Sequence, residues 1–354
     1  MDVNNLSELY EEMLLISPAL VTARGISKVM DNEVSHDKIT RLLSGRIFSE
    51  KYIWQKAKPL CHEIETEVAV FIIDDRIQEK PYTKENDLIC WHFDHSKHRH
   101  VKGVNFLTGL YHSWDISVPV LVEFVTKPIK SKNEKGRPIR KSAVSKNGLF
   151  RKMVGHASDN LQFSYVLSDS WYGNSKNMQF VHQQNQKFIF AIKGNRKIAL
   201  RREEKEKGHY VSIKILELEG RSLVVYVKQF SFPIAITSQD FKNGDDTFML
   251  YLASNDLDLT SEQMTTIYQK RWKVEEYHKS IKSNICFAKS PTKTVKTQKS
   301  HFIASIAVFN RLELLKIRKE KNHFALKSYL QIVAMKKIRI ELYKLLTANL
   351  KKVA

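Results

Sequence analysis

The sequence predicts an α/β protein with additional helices at both ends of the chain. Three observations carry the prediction. VAVFIIDD at 68–75 is an apolar run closed by two aspartates, and LQFSYVLSDSWYG at 161–173 is a β-rich run interrupted by Asp169. Both read as strands with carboxylates at their C-terminal ends. LICWHF, VKGVNFLTGLYH and SVPVLVEFV lie between them with turn signals, the pattern of an antiparallel meander. The two ends of the chain carry apolar residues at helical rather than alternating spacing.

The chain has 354 residues, 42% of them hydrophobic, enough for one large core or two modest ones. Its formal net charge is +20, which points to a polyanionic partner, because neutralised phosphates release condensed counterions. Cys61, Cys90 and Cys286 form no CxxC pair. They read as reduced core thiols of a cytoplasmic protein, not as a zinc ribbon or disulfide frame. The acidic start MDVNNLSELYEEMLL argues against a signal peptide. No apolar run approaches the roughly 18 residues that a membrane span needs, so no membrane partner is expected.

Residues 1–62 read as helical. In GISKVMDNEVSHDKITRLLSG, Ser35 is a plausible N-cap and Ile39, Leu42 and Leu43 form an apolar stripe. The segment fits either a helix-turn-helix that turns Lys38 and Arg41 toward DNA, or a small bundle that packs or dimerises. Residues 126–152 hold ten Lys/Arg against one acidic residue and read as a basic loop followed by a helix near 145–158. KFIFAIKG is a further strand. Residues about 190–250, with HYVSIKILEL, SLVVYVKQF and TFMLYLAS, read as a mostly β insertion, too long for a simple connection. TSEQ at 260–263 fits a capping box that opens a helix running to about Asn284. The last region, 291–354, is basic and helical, with Leu312, Leu315, Leu326, Leu330 and Leu342 among apolar stripes that should pack on something.

YQKRWKVEEYHKSIK, at 268–282, is the most informative stretch. At about 100° per residue, Tyr268, Arg271, Glu275 and Lys282 share a stripe roughly 60° wide. A carboxylate between two cations and a phenol suits a metal-bound phosphate. With Asp74 (or Asp75) and Asp169 upstream, three carboxylates stand in order, and oxygen-only ligands suit Mg²⁺ or Mn²⁺. WHFDHSKHRH gathers four histidines but lacks the paired spacing of a zinc site, and Asp94 there reads as a turn residue.

The Y-(2)-R-(3)-E-(6)-K spacing of Tyr268, Arg271, Glu275 and Lys282, with Trp272 after the arginine, resembles the signature of bacterial insertion-sequence DDE transposases of the IS-four-like group. FIIDD resembles the first-aspartate block of that family and VLSDSWYG the second, and SHDKITRLLS resembles an N-terminal segment of some members. The resemblance implies an RNase H-like mixed sheet flanked by helices. The core would span 63–290, with the β insertion between second aspartate and glutamate. It implies cut-and-paste DNA transposition by two-metal-ion hydrolysis and strand transfer, with Asp74, Asp169 and Glu275 as catalytic metal ligands for two Mg²⁺ or Mn²⁺ ions. Tyr268, Arg271 and Lys282 would contact DNA phosphates. The partners would be double-stranded terminal repeats and target DNA, engaged by a homodimer in a bacterial, nucleoid-associated setting. This sequence has Asp75 and Arg76 after the first aspartate, where relatives carry a small residue and a threonine. Many relatives release the element through a DNA hairpin; its flipped base needs an aromatic platform, for which Phe190, Tyr210 and Tyr226 are candidates. Two rivals are an RNase H-like DNA nuclease without transposition and a catalytically inactive DNA-binding protein derived from a transposase.

Overall fold

The computed structural model describes residues 2–17, 20–218, 220–243 and 246–350. The chain divides into two compact units, Met1–Lys56 with His278–Ala354, and Ala57–Tyr277.

The first unit opens with α1 (Val3–Ile16), α2 (Ala23–Val29) and α3 (His36–Ser44), and α4 (Glu50–Glu63) runs from it into the second unit, which begins at Ala57. Asp2 caps α1 by accepting from Asn5 N at 2.8 Å, and Ser35 caps α3. Asp31 and Asn32, both at positive φ, turn the chain between α2 and α3. The predicted stripe of α3 is buried at Ile39, Leu42 and Leu43, because spacing of three and four puts all three on one face. Lys38 and Arg41 stay exposed.

The second unit is built on one large sheet. Its strands in chain order begin with β1 (Val70–Glu79), β2 (Cys90–Asp94), β3 (Arg99–Ser113) and β4 (Ile116–Phe124), the predicted meander. A separate two-stranded ribbon follows, β5 (Ile129–Lys132) and β6 (Pro138–Lys141), then α5 (Lys146–Asn160), β7 (Tyr165–Ser168), α6 (Ser175–Gln183) and β8 (Lys187–Ile192). The insertion supplies β9 (Lys197–Ile198), α7 (Arg202–Glu206), β10 (Val211–Ser212), β11 (Leu223–Tyr226), β12 (Pro233–Asn243) and β13 (Asp246–Ser254). The sheet runs β11-β12-β13-β8-β7-β1-β3, and the far edge of β3 is shared by β2 and β4. β7 lies parallel to both β1 and β8, and the other pairings are antiparallel. A meander joined through its first strand to two parallel strands is the mixed sheet of the RNase H-like fold. The insertion does not stand apart: β13, β12 and β11 extend the same sheet beyond β8.

Val70, Phe71, Ile72 and Ile73 are almost wholly buried, as expected for a strand with neighbours on both edges. Each such side chain contributes about 1.5–3 kcal/mol. β1 does not end at the aspartates, however. It continues to Glu79 as the partner of β3, while its parallel pairing with β7 stops at Ile72. The basic segment after β4 is not a plain loop, because Asn133 and Gly136 close it into the β5–β6 hairpin. HYVSIKILEL forms only β10 and a 3₁₀ turn at Ile213–Ile215.

The helix expected from Thr260 to Asn284 is two helices, α8 (Ser261–Gln269) and α9 (Lys273–Asn284), joined by a 3₁₀ turn at Lys270–Trp272. The capping box is present: Thr260 Oγ1 accepts from Gln263 N at 3.2 Å and Gln263 Oε1 from Thr260 N at 3.0 Å. A 3₁₀ turn advances about 120° per residue, so the stripe shifts phase at Arg271. The first unit ends with α10 (Val295–Lys319), packed on α1 and α3, and α11 (His323–Leu350). Leu312 and Leu326 are buried, but Leu342 is 54% exposed, because the distal half of α11 extends past its contacts within this unit. The three cysteines are buried, and none of them is in a disulfide among the described residues. No helix among the described residues is long and apolar enough to cross a membrane.

Candidate active site

The two aspartates meet because β1 and β7 are neighbours held in register. Val70–Ile72 pair with Tyr165–Leu167, and just beyond this ladder the buried Ser168 Oγ donates to Ile73 O at 2.8 Å. That bond fixes side by side the residues that immediately precede Asp74 and Asp169. After Asp169 the chain turns back into α6. Asp169 Oδ1 accepts from Trp171 N at 3.0 Å and Tyr172 N at 3.4 Å. Gly173 completes the turn against β8, where a Cβ would stand 2.1 Å from Ala191 O.

The two carboxylates suffer from their surroundings. Burial raises the proton affinity of Asp74 well above the usual carboxylate range, and the charges of Asp169, Asp75 and Glu275 add to it while Arg271 opposes. Asp169 is raised by burial and then by Asp75, against Arg271 and the two backbone amides. Close carboxylates of this kind resist simultaneous ionisation unless a cation joins them.

Asp74 and Asp75 are adjacent but differently engaged. Asp75 Oδ1 accepts from the Tyr172 hydroxyl at 2.6 Å, and Oδ2 meets Lys146 Nζ at 2.6 Å. Both oxygens are therefore already committed to close partners. Asp74 Oδ1 accepts from Asp75 N at 2.8 Å, while its Oδ2 meets Arg271 NH1 at the longer distance of 3.5 Å. Burial, and then Asp75, hold the Tyr172 phenol protonated far above its ordinary range, so it can serve as a donor at any ordinary pH.

Arg271 stands at the centre. Its guanidinium reaches Asp74 at 3.5 Å and Glu275 Oε1 at 3.9 Å, and lies 6.0 Å from the Tyr268 ring centroid and 4.9 Å from that of Trp272. Burial disfavours its charge, but Tyr268, Asp74, Asp169 and Glu275 outweigh that and raise its proton affinity. Its Nε is buried and finds no hydrogen-bond partner among the described residues. Tyr268 is buried at 6% exposure, and burial raises its pKa. Glu275 is more open, and its Oε2 is 3.2 Å from Arg76 NH1. The structure thus brings Asp74, Asp169, Tyr268, Arg271 and Glu275 into one neighbourhood. Lys282 is exposed on the part of α9 that belongs to the helical unit, as are Lys38 and Arg41 on α3.

Three carboxylates with no thiol or imidazole match a hard cation such as Mg²⁺ or Mn²⁺. As the side chains stand, the Glu275 carboxylate faces arginines, and among the described residues no three His, Cys, Asp or Glu groups are close enough to hold a metal ion. Asp169 opens into a cleft of about 520 Å³ lined also by Lys193, Asn195, Lys214, Tyr251 and Arg271. A second cleft of about 890 Å³ shares Ser170, Lys193 and Asn195 with it and continues past Trp171, Arg196 and Tyr210. Sequence reasoning missed Ser168, Lys146, Tyr172, Arg76 and Lys193. Of these, Arg76 carried a signal, as a departure beside Asp75 after the first aspartate.

A family model described as DDE superfamily endonuclease matches residues 8–209, more than half of the chain. The chain belongs to the DDE superfamily. A second model, described as Transposase DDE domain, matches residues 138–311 and with the first makes this a DDE transposase. No curated protein matches. Among solved structures, the Drosophila P element transposase strand transfer complex is similar over 91% of this chain and 82% of that one, at 10% identity and a TM-score of 0.25.

Proposed function

We propose that this DDE transposase catalyses cut-and-paste movement of an insertion sequence of the IS-four-like group, cutting and rejoining double-stranded DNA at terminal inverted repeats. The observation that carries the reading is the Ser168–Ile73 bond, which sets Asp74 and Asp169 against each other beside Arg271 and Glu275. Asp74, Asp169 and Glu275 would hold two Mg²⁺ or Mn²⁺ ions. When bound, such ions activate an attacking oxygen and stabilise the leaving oxygen of a phosphodiester.

The remaining work falls to the chain. Asp74 is the first ligand in preference to Asp75, because Lys146 and Tyr172 already occupy both oxygens of Asp75. Arg271, stacked near Tyr268 and Trp272, is kept charged and aimed for a phosphate. Lys193, Lys214 and Arg196 give the two joined clefts the sign that a DNA backbone requires. Lys38 and Arg41 on α3, and Lys282 on α9, are further DNA contacts in this reading. Holding two element ends together would take a homodimer on DNA.

The test is cleavage of a terminal-repeat duplex by the full chain with Mg²⁺, compared with Glu275→Gln. A ligand contribution of several kcal/mol corresponds to at least about a hundredfold loss of rate. Equal rates would overturn the assignment. Hydrolysis without 3′-end joining would point to a nuclease of the same fold, and binding without cleavage to an inactive derivative.

A further inference from the structure

The β5–β6 ribbon lies outside the main sheet, yet it is regularly paired. It forms its own two-stranded sheet, in which Ile129–Lys132 pair with Lys141–Pro138. Its tip is tied by Asn133, whose Oδ1 accepts from Lys135 N at 3.1 Å and Arg137 N at 2.8 Å. Gly136 takes a positive φ of 72° there, a conformation that favours glycine. Its base is pinned by Arg140. That guanidinium meets Asp87 at 2.5 Å, Glu85 at 3.4 Å and Lys127 O at 3.3 Å.

The charge on this ribbon is not what folding alone would place there. Lys130 lies directly across from Arg140, a like-charge pair that destabilises a hairpin unless something compensates. Glu85 and Asp87 compensate Arg140. Lys130, Lys132, Lys135, Arg137 and Lys141 remain, all exposed. The one acidic residue in the ribbon is Glu134. A two-stranded ribbon with cations on both faces is an element that the major groove of DNA, about 12 Å wide and 8.5 Å deep, admits. Its last residue precedes by five positions Lys146, which bonds Asp75, so a short link joins the ribbon to the segment that reaches the site.

We propose that the β5–β6 ribbon is a duplex-DNA clamp that grips the phosphate backbone near the cut site, independently of metal. The inference rests on the DNA-acting reading above and adds to it a binding element outside the catalytic neighbourhood. Four of the five cations are lysines, which act as point charges toward phosphate, so the grip is insensitive to sequence.

The test is fluorescence anisotropy on a labelled duplex in EDTA across a KCl series, with the full chain and the variant Lys130→Gln/Lys132→Gln/Lys135→Gln. Each phosphate contact contributes about 0.9 to the slope of log K against log salt, so the slope should fall by about two to three, equally on an unrelated duplex. A second variant, Arg137→Gln/Lys141→Gln, should lower it by about two. Both sit on exposed positions, and unchanged thermal melting checks their folding. An unchanged slope in folded variants overturns the proposal. So does a loss of self-association by light scattering with the slope retained, which would make the ribbon a protein contact. If the wild-type chain binds duplex but never cuts with Mg²⁺, the catalytic reading fails while the ribbon can still stand. If it cuts and the variants keep the wild-type slope, the ribbon alone fails.

Discussion

Ser168→Ala tests the geometry of the site without touching a carboxylate. Ser168 is fully buried, and its hydroxyl donates to Ile73 O at 2.8 Å, just past the last paired residues of the short β1–β7 ladder. Removing it leaves a buried carbonyl with one partner fewer, at a cost of about 1–2 kcal/mol. For a folding unit of this size that is a fall in melting temperature of about 2–8 °C. The functional effect should be the larger one, because the bond spans the two residues that precede Asp74 and Asp169. A loosened register raises the Mg²⁺ concentration needed for half-maximal cleavage. The assays are thermal melting in EDTA and a Mg²⁺ titration of cleavage at saturating DNA. The reasoning is refuted if the variant melts lower but keeps the wild-type half-saturating Mg²⁺, because the bond would then hold the fold and not the site.

Asp74→Asn separates stability from activity. Burial and Asp169 raise the folded-state pKa of Asp74 above its unfolded value. The proton it binds therefore stabilises the fold at low pH, and that contribution is lost as pH rises through the raised folded value. A neutral amide escapes the penalty, so in EDTA at neutral pH the variant should melt several degrees higher, yet should not cleave; a lower melting temperature would contradict the electrostatics. The same shifts in Asp74 and Asp169 set a pH dependence. Metal binding requires both ionised, so the half-saturating Mg²⁺ should fall as pH rises above the usual carboxylate range near 4. A Mg²⁺ requirement that is flat with pH over that window would show that neither group titrates with the metal.

Much of the fold was written locally. Ser35, the Ile39–Leu42–Leu43 stripe and the Thr260–Gln263 capping box are short-range patterns, and all three formed as the spacing required. The apolar run at 70–73 became the central strand β1, since a run without polar interruption has only the interior to go to, and the β-rich stretch at 165–168 became β7 beside it. β12 escaped notice because it starts at a proline and mixes Thr237, Ser238, Gln239 and Asp240 into its length; it is a strand through pairing with β11 and β13, not through its own pattern. The hairpin at 129–141 was hidden by its charge for a similar reason.

The sequence by itself determined which residue types could do chemistry here: three ordered acids, an arginine-bearing helix and a strongly basic chain. Only the tertiary structure decided which of the two neighbouring acids at 74 and 75 is committed elsewhere. Neighbours on a strand point to opposite sides, and Lys146 and Tyr172, 71 and 97 residues away, meet one of them and not the other. It also decided that Arg76 reaches Glu275 across 199 residues of chain. Such partners are set by which strands become neighbours, and that choice is made by the burial of the whole sheet and by no local stretch of it.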